Sequence, residues 1–221
     1  MKHNRFIFVT LLLFVQHMTG IAQPKAVDMG LSVKWASCNV GATSPSEYGD
    51  YYAWGETATK SDYTWKTYKW CDGSSDTFTK YFFPVEDKTD DKSADKPKTK
   101  TLYLEYSDDV ARQKWGGEWR IPTDKEWMEL QNNCTWEWTS QSGVFGYKVT
   151  SKKNGNNIFL PAAGYKISTG FFGAGDNGGY WSSSLTPDGH QLGAWRVYFN
   201  SRDICGYDHS RFMGRSVRPV L

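Results

Sequence analysis

The chain has 221 residues, of which 23% are charged and 39% hydrophobic, and it contains 11 Trp, 13 Tyr and 12 Phe. This composition excludes a disordered or fibrous chain, and the length allows one large domain or two small ones. Beyond the first two dozen positions no apolar run approaches the roughly 18 residues of a membrane-spanning helix, so we expect no membrane insertion there.

The first 22 residues have the pattern of a secretory signal peptide. Lys2 and Arg5 precede an apolar run over residues 6–15, and the small residues Gly20 and Ala22 precede a cleavage site after Ala22. The mature chain would then comprise residues 23–221. Because no Cys follows the cut to accept a lipid, we expect a secreted or periplasmic protein that associates with the cell surface only through a partner.

The charge of the mature chain excludes two classes of partner. Lys2 and Arg5 leave with the signal peptide, so the 26 basic residues of the full chain fall to 24 and equal the 24 acidic residues. Binding to nucleic acid depends on neutralising phosphates, and binding to an anionic membrane also needs positive charge. The sequence therefore predicts neither nucleic acid nor a membrane as a partner.

Four cysteines and two histidines remain after the cut. Cys38, Cys71, Cys134 and Cys205 form an even set in an exported chain, which favours at least one disulfide, with three pairings open. His190 and His209 lie far from any Cys-x-x-Cys pair, and a zinc site therefore has too few ligands at usable spacing. We expect no metal and no cofactor.

The first half of the mature chain predicts one strand, two loops and two helices. Residues 33–39 predict a strand, residues 48–56 an aromatic loop that lines the core, and residues 86–100 an exposed charged loop. A short helix is predicted over residues 108–115.

A second helix is predicted from Asp124 onward, because Thr123 as N-cap and Glu126 three residues later form a capping box. Trp127, Leu130 and Met128 are predicted to face the core. Capping and the helix dipole account for Glu126 and Asp124 better than a pair of catalytic carboxylates does.

After Cys134 the periodicity predicts short strands to the end of the chain. Residues 146–150 and 158–160 form a predicted hairpin, with Asn154 and Gly155 at the positive φ angles of a tight turn. Residues 180–185 and 194–199 form a second hairpin. In its second strand Trp195, Val197 and Phe199 are predicted to share one face and Arg196 and Tyr198 the other. Residues 216–220 predict a closing strand.

Six segments, in order, resemble the Fibrobacter succinogenes major paralogous domain family. They are residues 31–42, 48–56, 160–165, 180–184, 214–220 and the run Trp115-Gly-Gly-Glu-Trp-Arg-Ile-Pro-Thr-Asp-Lys-Glu-Trp127. The resemblance runs from about residue 27 to 221. It implies a single α+β domain over residues 23–221 with a C-type-lectin-like fold: two short helices in the first half, then short antiparallel strands with long loops. It also implies a relation to the formylglycine-generating sulfatase-modifying domain.

The activities of that fold depend on residues that this chain lacks. The calcium-dependent sugar-binding motifs Glu-Pro-Asn, Gln-Pro-Asp and Trp-Asn-Asp do not occur, and the enzyme relatives use two neighbouring cysteines where this chain has only Cys205. We therefore expect a non-catalytic binding or adhesion module for a glycan or protein ligand. Two alternatives stay open: a metal-assisted oxidase or hydrolase that uses Cys205, and a structural subunit of a surface assembly.

The segment of residues 200–212 is the candidate ligand-binding surface. It lies between the last two predicted strands and mixes Arg, Tyr, Asp, His and Ser, a composition typical of adaptable binding loops. The predicted ligand contacts are Arg202, Tyr207, His209 and Arg211.

Overall fold

The computed structural model describes residues 24–82, 102–186 and 192–221. The predicted signal peptide, the charged loop at 86–100 and the tip of the second hairpin lie outside these ranges. Within them the chain has a mixed α+β fold with mostly antiparallel strands. No helix in this part of the chain has both the length and the apolar character needed to cross a bilayer.

The described residues form two helices and ten strands. The helices are α1 (Val110–Trp115) and α2 (Asp124–Asn133). The strands are β1 (Ala26–Asp28), β2 (Lys34–Ala36), β3 (Cys134–Gln141), β4 (Val144–Ser151), β5 (Asn157–Pro161), β6 (Ala163–Ile167), β7 (Gly170–Ala174), β8 (Asn177–Leu185), β9 (Gly193–Asn200) and β10 (Ile204–Ser210).

The strands pair into three sheets. β1 pairs with β2, β3–β4–β5 form a three-stranded sheet, and the largest sheet has the order β10-β9-β8-β6-β7. The predicted hairpins are confirmed as β4–β5 and β8–β9. In the turn of the first, Gly155 has a φ of +75°, but Asn154 is not among the residues with positive φ. The prediction for Asn154 is wrong because its side chain accepts a bond from Asn156 N and donates one to Asp28 O instead.

The capping box of α2 is confirmed. The Thr123 hydroxyl accepts a hydrogen bond from Glu126 N at 3.3 Å, and the Glu126 carboxylate accepts one from Thr123 N at 2.8 Å. Arg120 donates to the same carboxylate at 2.8 Å. Trp127 and Leu130 are buried as predicted, whereas Met128 is 42% exposed, because it lies about 100° around the helix from Trp127.

Removal of the Thr123 cap has a defined expected cost. Thr123→Ala loses the acceptor for Glu126 N, so we expect the free energy of unfolding to fall by about 1 kcal/mol in a denaturant titration. Thr59→Ala is the matched control, because Thr59 is exposed and lies in a loop. Equal unfolding midpoints for the two variants would contradict the capping role.

The two ends of the described chain meet. Lys34 N donates to Leu221 O at 3.0 Å, and Leu221 N donates to Lys34 O at 2.8 Å. The predicted strand at 33–39 is reduced to β2, and residues 216–220 form isolated bridges rather than a continuous strand. Among these bridges, Val220 pairs with both Trp35 and Arg120. The expected closure of the fold by its terminal segments is confirmed, through bridges rather than a regular ladder.

The largest sheet is covered on both faces. Tyr180, Val197 and Phe199 pack into one core cluster with Trp127 of α2. Trp181 and Ala194 point to the opposite face and pack in a second cluster. Buried residues of the loop at 48–56 pack in the same cluster. The prediction that this loop lines the core is confirmed.

Candidate binding site

One face of the largest sheet opens into a cleft of about 440 Å³, which we call the arginine cleft. In the sheet register Arg196 lies between Trp181 and Tyr207, and Tyr198 lies opposite Cys205. Residues directly opposite one another share a face, so Arg196 and Tyr198 form the floor of the cleft and Tyr207 lies at its rim. The lining residues are Tyr165, Ile167, Asn177, Arg196, Tyr198, Tyr207, His209, Ser210, Phe212, Met213 and Arg215.

The segment after β10 forms one wall of the cleft. Arg215 exchanges two backbone hydrogen bonds of 3.0 Å with Tyr52, and Gly214 pairs with Lys166 of β6. This crossing places the Arg215 side chain on the sheet over Gly179. A Cβ atom on Gly179 would lie 2.3 Å from Arg215 Nη1, so the missing side chain at Gly179 makes room for the guanidinium.

Four polar side-chain atoms of the cleft have no hydrogen-bond partner among the described residues. Arg196 and Arg215 are only 3% and 2% exposed. In the described part of the chain eight buried side-chain nitrogen or oxygen atoms have no hydrogen-bond partner, and four of them are Arg196 Nε, Arg196 Nη1, Arg215 Nε and Asn177 Oδ1. Buried donors and acceptors are normally paired, so the concentration of unpaired ones in one cleft indicates a place for a ligand.

Aromatic rings partly compensate the two buried charges. The guanidinium carbon of Arg196 lies 4.8 Å and 4.3 Å from the ring centres of Tyr198 and Tyr207. That of Arg215 lies 5.5 Å from Tyr165 and 5.2 Å from Trp181. Within residues 24–82, 102–186 and 192–221 neither arginine forms an ion pair. Burial lowers the pKa of both, and the charge of Arg196 lowers the pKa of Arg215 further.

His209 lies in the positive electrostatic potential of the cleft. Burial and then the charges of Arg215 and Arg196 lower its pKa to about 4. Its Nδ1 accepts a hydrogen bond from Ser210 N at 3.0 Å, which requires that nitrogen to be unprotonated. At neutral pH His209 is therefore uncharged and carries its proton on Nε2.

The structure brings two of the four predicted contacts together. Tyr207, which is 43% exposed, and His209 both line the arginine cleft. Arg202 is exposed in the turn between β9 and β10, outside the lining. The segment of residues 200–212, predicted as a connection, contains strand β10, which pairs with β9 along its full length.

Arg211 requires a correction, because it is 0% exposed. Its Nε donates to Gly193 O at 3.0 Å, and its Nη1 donates to Tyr81 O. The guanidinium carbon lies 4.6 Å from the ring centre of Phe78. Arg211 therefore holds buried segments together and, unlike Arg196 and Arg215, does not line the arginine cleft.

Sequence reasoning did not name Arg196, Arg215 or Asn177 as site residues. The alternation in residues 194–199 predicts that Arg196 and Tyr198 share the face of the strand opposite to Val197 and Phe199, and that prediction is confirmed. The sequence did not indicate that Asn177 and Arg215 belong to the same site, because they reach the cleft from two other segments of the chain.

The cysteines are free thiols in the structure. Cys38, Cys71 and Cys134 are buried and Cys205 is partly exposed, so the expected disulfide finds no support here. Burial raises the pKa of each thiol, that of Cys134 to about 11. Cys205 and His209 lie four residues apart on one strand, a separation of about 13 Å, with Tyr207 between them. The structure therefore does not join them into a Cys/His pair.

A shallower groove of about 660 Å³ adjoins the arginine cleft. Trp65, Asp62, Thr64, Ser168 and Thr169 line it, and Asp62 Oδ1 is a buried acceptor without a partner. The rings of Trp65 and Phe212 are 4.8 Å apart, and Phe212 also lines the arginine cleft. The two depressions are therefore neighbours on one surface.

Comparisons of the chain with protein-family models, with curated proteins and with solved structures give no match. A function therefore has to be inferred from the chain's own residues. Among the residues described, no group of three or more His, Cys, Asp or Glu side chains is placed to hold a metal ion.

Proposed function

We propose that this protein is a secreted or periplasmic, non-catalytic binding module that holds a glycan or protein ligand in the arginine cleft. The observation that carries the proposal is the set of unpartnered polar atoms on Arg196, Arg215 and Asn177. Each leaves a hydrogen bond unmade in a buried place, and a ligand with matching oxygen and N–H groups would complete them. A cleft of this volume falls in the usual range for small-ligand sites, about 300–1,000 Å³.

The proposal includes the fold and the family. A C-type-lectin-like domain of the Fibrobacter succinogenes major paralogous domain family fits the meeting of the terminal segments and the entry to α2 through the Arg120–Trp127 run. It also fits the antiparallel sheets that follow the helices. Fold does not settle activity, so the binding role rests on the cleft.

The composition of the cleft favours holding a ligand over transforming one. Enzymatic nucleophiles need an adjacent base or a lowered pKa. Here the pKa of Cys205 is raised by burial, and His209 lies too far along β10 to act on it. The tyrosines and arginines that line the cleft are the residue types that anchor binding interfaces.

A change at the rim of the cleft tests the binding role. Tyr207→Ala removes a half-exposed ring from the rim, so we expect captured glycans on a glycan array to lose most of their signal. The lost contact with the Arg196 guanidinium is expected to lower the melting temperature by no more than about 5 °C. Tyr106→Ala is the matched control, because Tyr106 is 59% exposed and does not line the cleft. Capture that is unaffected by Tyr207→Ala would place the binding surface elsewhere.

A further inference from the structure

We infer that the arginine cleft recognises an acidic sugar, whose oxyanion, a carboxylate or a sulfate, binds between Arg196 and Arg215. This inference rests on the proposed binding function and gives its ligand a chemical class. It requires the anion to reach the two buried guanidiniums and the sugar ring to lie against the tyrosines.

The charge balance of the cleft supports an anionic group. Arg196 and Arg215 bring two positive charges into one largely desolvated place, where neither forms an ion pair with a carboxylate of the described residues. A buried charge is normally paired, and hydrogen bonds from a guanidinium to an oxyanion are among the strongest in proteins. A neutral ligand would leave the repulsion between the two arginines in place, whereas an oxyanion would remove it.

The acceptor and donor pattern supports a sugar as the carrier of that group. Asn177 Oδ1 is an unpartnered acceptor that a sugar hydroxyl can satisfy, while Arg196 and Arg215 supply only donors. The rings of Tyr165, Tyr198 and Tyr207 border the same volume. The adjoining groove repeats this combination with Trp65 beside Asp62, which gives a following sugar unit a second aromatic surface and a second free acceptor.

A peptide ligand fits less well. A peptide that extends a sheet uses the backbone of an edge strand, and β10 is the edge of the largest sheet. The unpartnered groups, however, are side chains on the face of β8 and β9 and on the crossing segment, away from that edge. The ligand must therefore present its polar groups to a face, as a compact ring does.

His209 provides a readout inside the cleft. Besides its burial, the groups that lower its pKa to about 4 are Arg215 and Arg196, and Tyr207 lies on the same face of β10. An anion bound to those arginines cancels part of their field, so the pKa of His209 should rise on binding. A neutral sugar in the same place should leave it unchanged.

The test compares three monosaccharides that differ only at carbon 6: galacturonate, galactose 6-sulfate and galactose. Binding to the full mature chain is followed by calorimetry and by NMR titration of His209. We expect one of the acidic sugars to bind at least about tenfold more tightly than galactose and to raise the pKa of His209 by at least about one unit. The acidic sugar that binds more tightly identifies the group as carboxylate or sulfate.

The variant arm uses Arg196→Gln with Arg112→Gln as the control. Both remove one positive charge, but Arg112 lies on α1 beside Tyr106 and outside the cleft. We expect Arg196→Gln to abolish the preference for the acidic sugar and Arg112→Gln to retain it. Because Arg196 is buried, its variant is first checked for folding, and the wild-type His209 titration decides the question if it does not fold.

The outcomes separate the inference from the proposed function. Galactose binding as tightly as both acids, in a manner that Tyr207→Ala weakens, would overturn the acidic-sugar inference and keep the binding module. Binding of a glutamate-rich peptide without any acidic sugar would assign the cleft to protein ligands and likewise overturn it. Acidic sugars that neither bind nor move the pKa of His209 would overturn it directly.

Discussion

Replacement of Arg218 by Ala is expected to lower the free energy of unfolding by about 3–5 kcal/mol. Arg218 is 0% exposed and donates to Asn39 Oδ1 at 2.8 Å, to Ala36 O at 3.0 Å and to Phe159 O at 2.9 Å. Its loss leaves three buried acceptors unpaired and opens a cavity between three segments. Chemical denaturation followed by tryptophan fluorescence would measure the change.

The control for this prediction is Arg202→Ala. Arg202 is exposed in the turn between β9 and β10, and surface changes of this kind usually stay within about 0.5 kcal/mol. If Arg218→Ala lowers the free energy of unfolding by less than about 1 kcal/mol, water replaces the guanidinium easily. That result would contradict the tight burial of the C-terminal segment.

Acidification is expected to remove up to about 3 kcal/mol of stability through His209 alone. Its pKa is about 4 in the folded state, against an ordinary value of 6.5. Between these values the unfolded chain binds a proton that the folded chain does not, so stability falls as the pH falls from 6.5 to 4. Above pH 6.5 both states carry neutral histidine and this contribution is constant.

The measurement compares wild type with His209→Asn by urea denaturation at several pH values between 4 and 8. Asn Oδ1 takes the place of His209 Nδ1 as the acceptor for Ser210 N, but the Asn side chain has no proton to gain. Other acidic groups affect both proteins alike, so the difference between them should be constant above pH 6.5 and should shift in favour of the variant below it. A difference that does not change with pH would show that His209 titrates normally and that the cleft lacks the positive field.

Features carried by neighbouring residues could be predicted from the sequence. The capping box needs only Thr123 and Glu126, and the β4–β5 hairpin needs only two alternating runs around Gly155. The opposite faces of Val197 and Arg196 follow from the period of a strand. In each case the physical cause acts within a few residues, so a short window contains it.

Features that depend on contacts between distant segments could not be predicted from the sequence. Residues 200–212 have the composition of a loop, yet they contain β10, because Gly206 leaves room for the ring of Trp195 on the neighbouring strand. A Cβ atom on Gly206 would lie 2.0 Å from that ring. Arg211 is predicted as a ligand contact because it lies in a polar segment between two predicted strands, whereas it donates to Gly193 O and Tyr81 O, which are 18 and 130 residues away along the chain.

The hydrogen bonds of Arg218 determine how the anchoring of the C-terminal residues responds to salt. Its three acceptors are uncharged oxygens of an amide side chain and two peptide groups. In the part of the chain that the structure describes, Arg218 forms no ion pair, so dissolved salt has none to screen there. The anchoring of the last residues to the sheet is therefore expected to be insensitive to ionic strength.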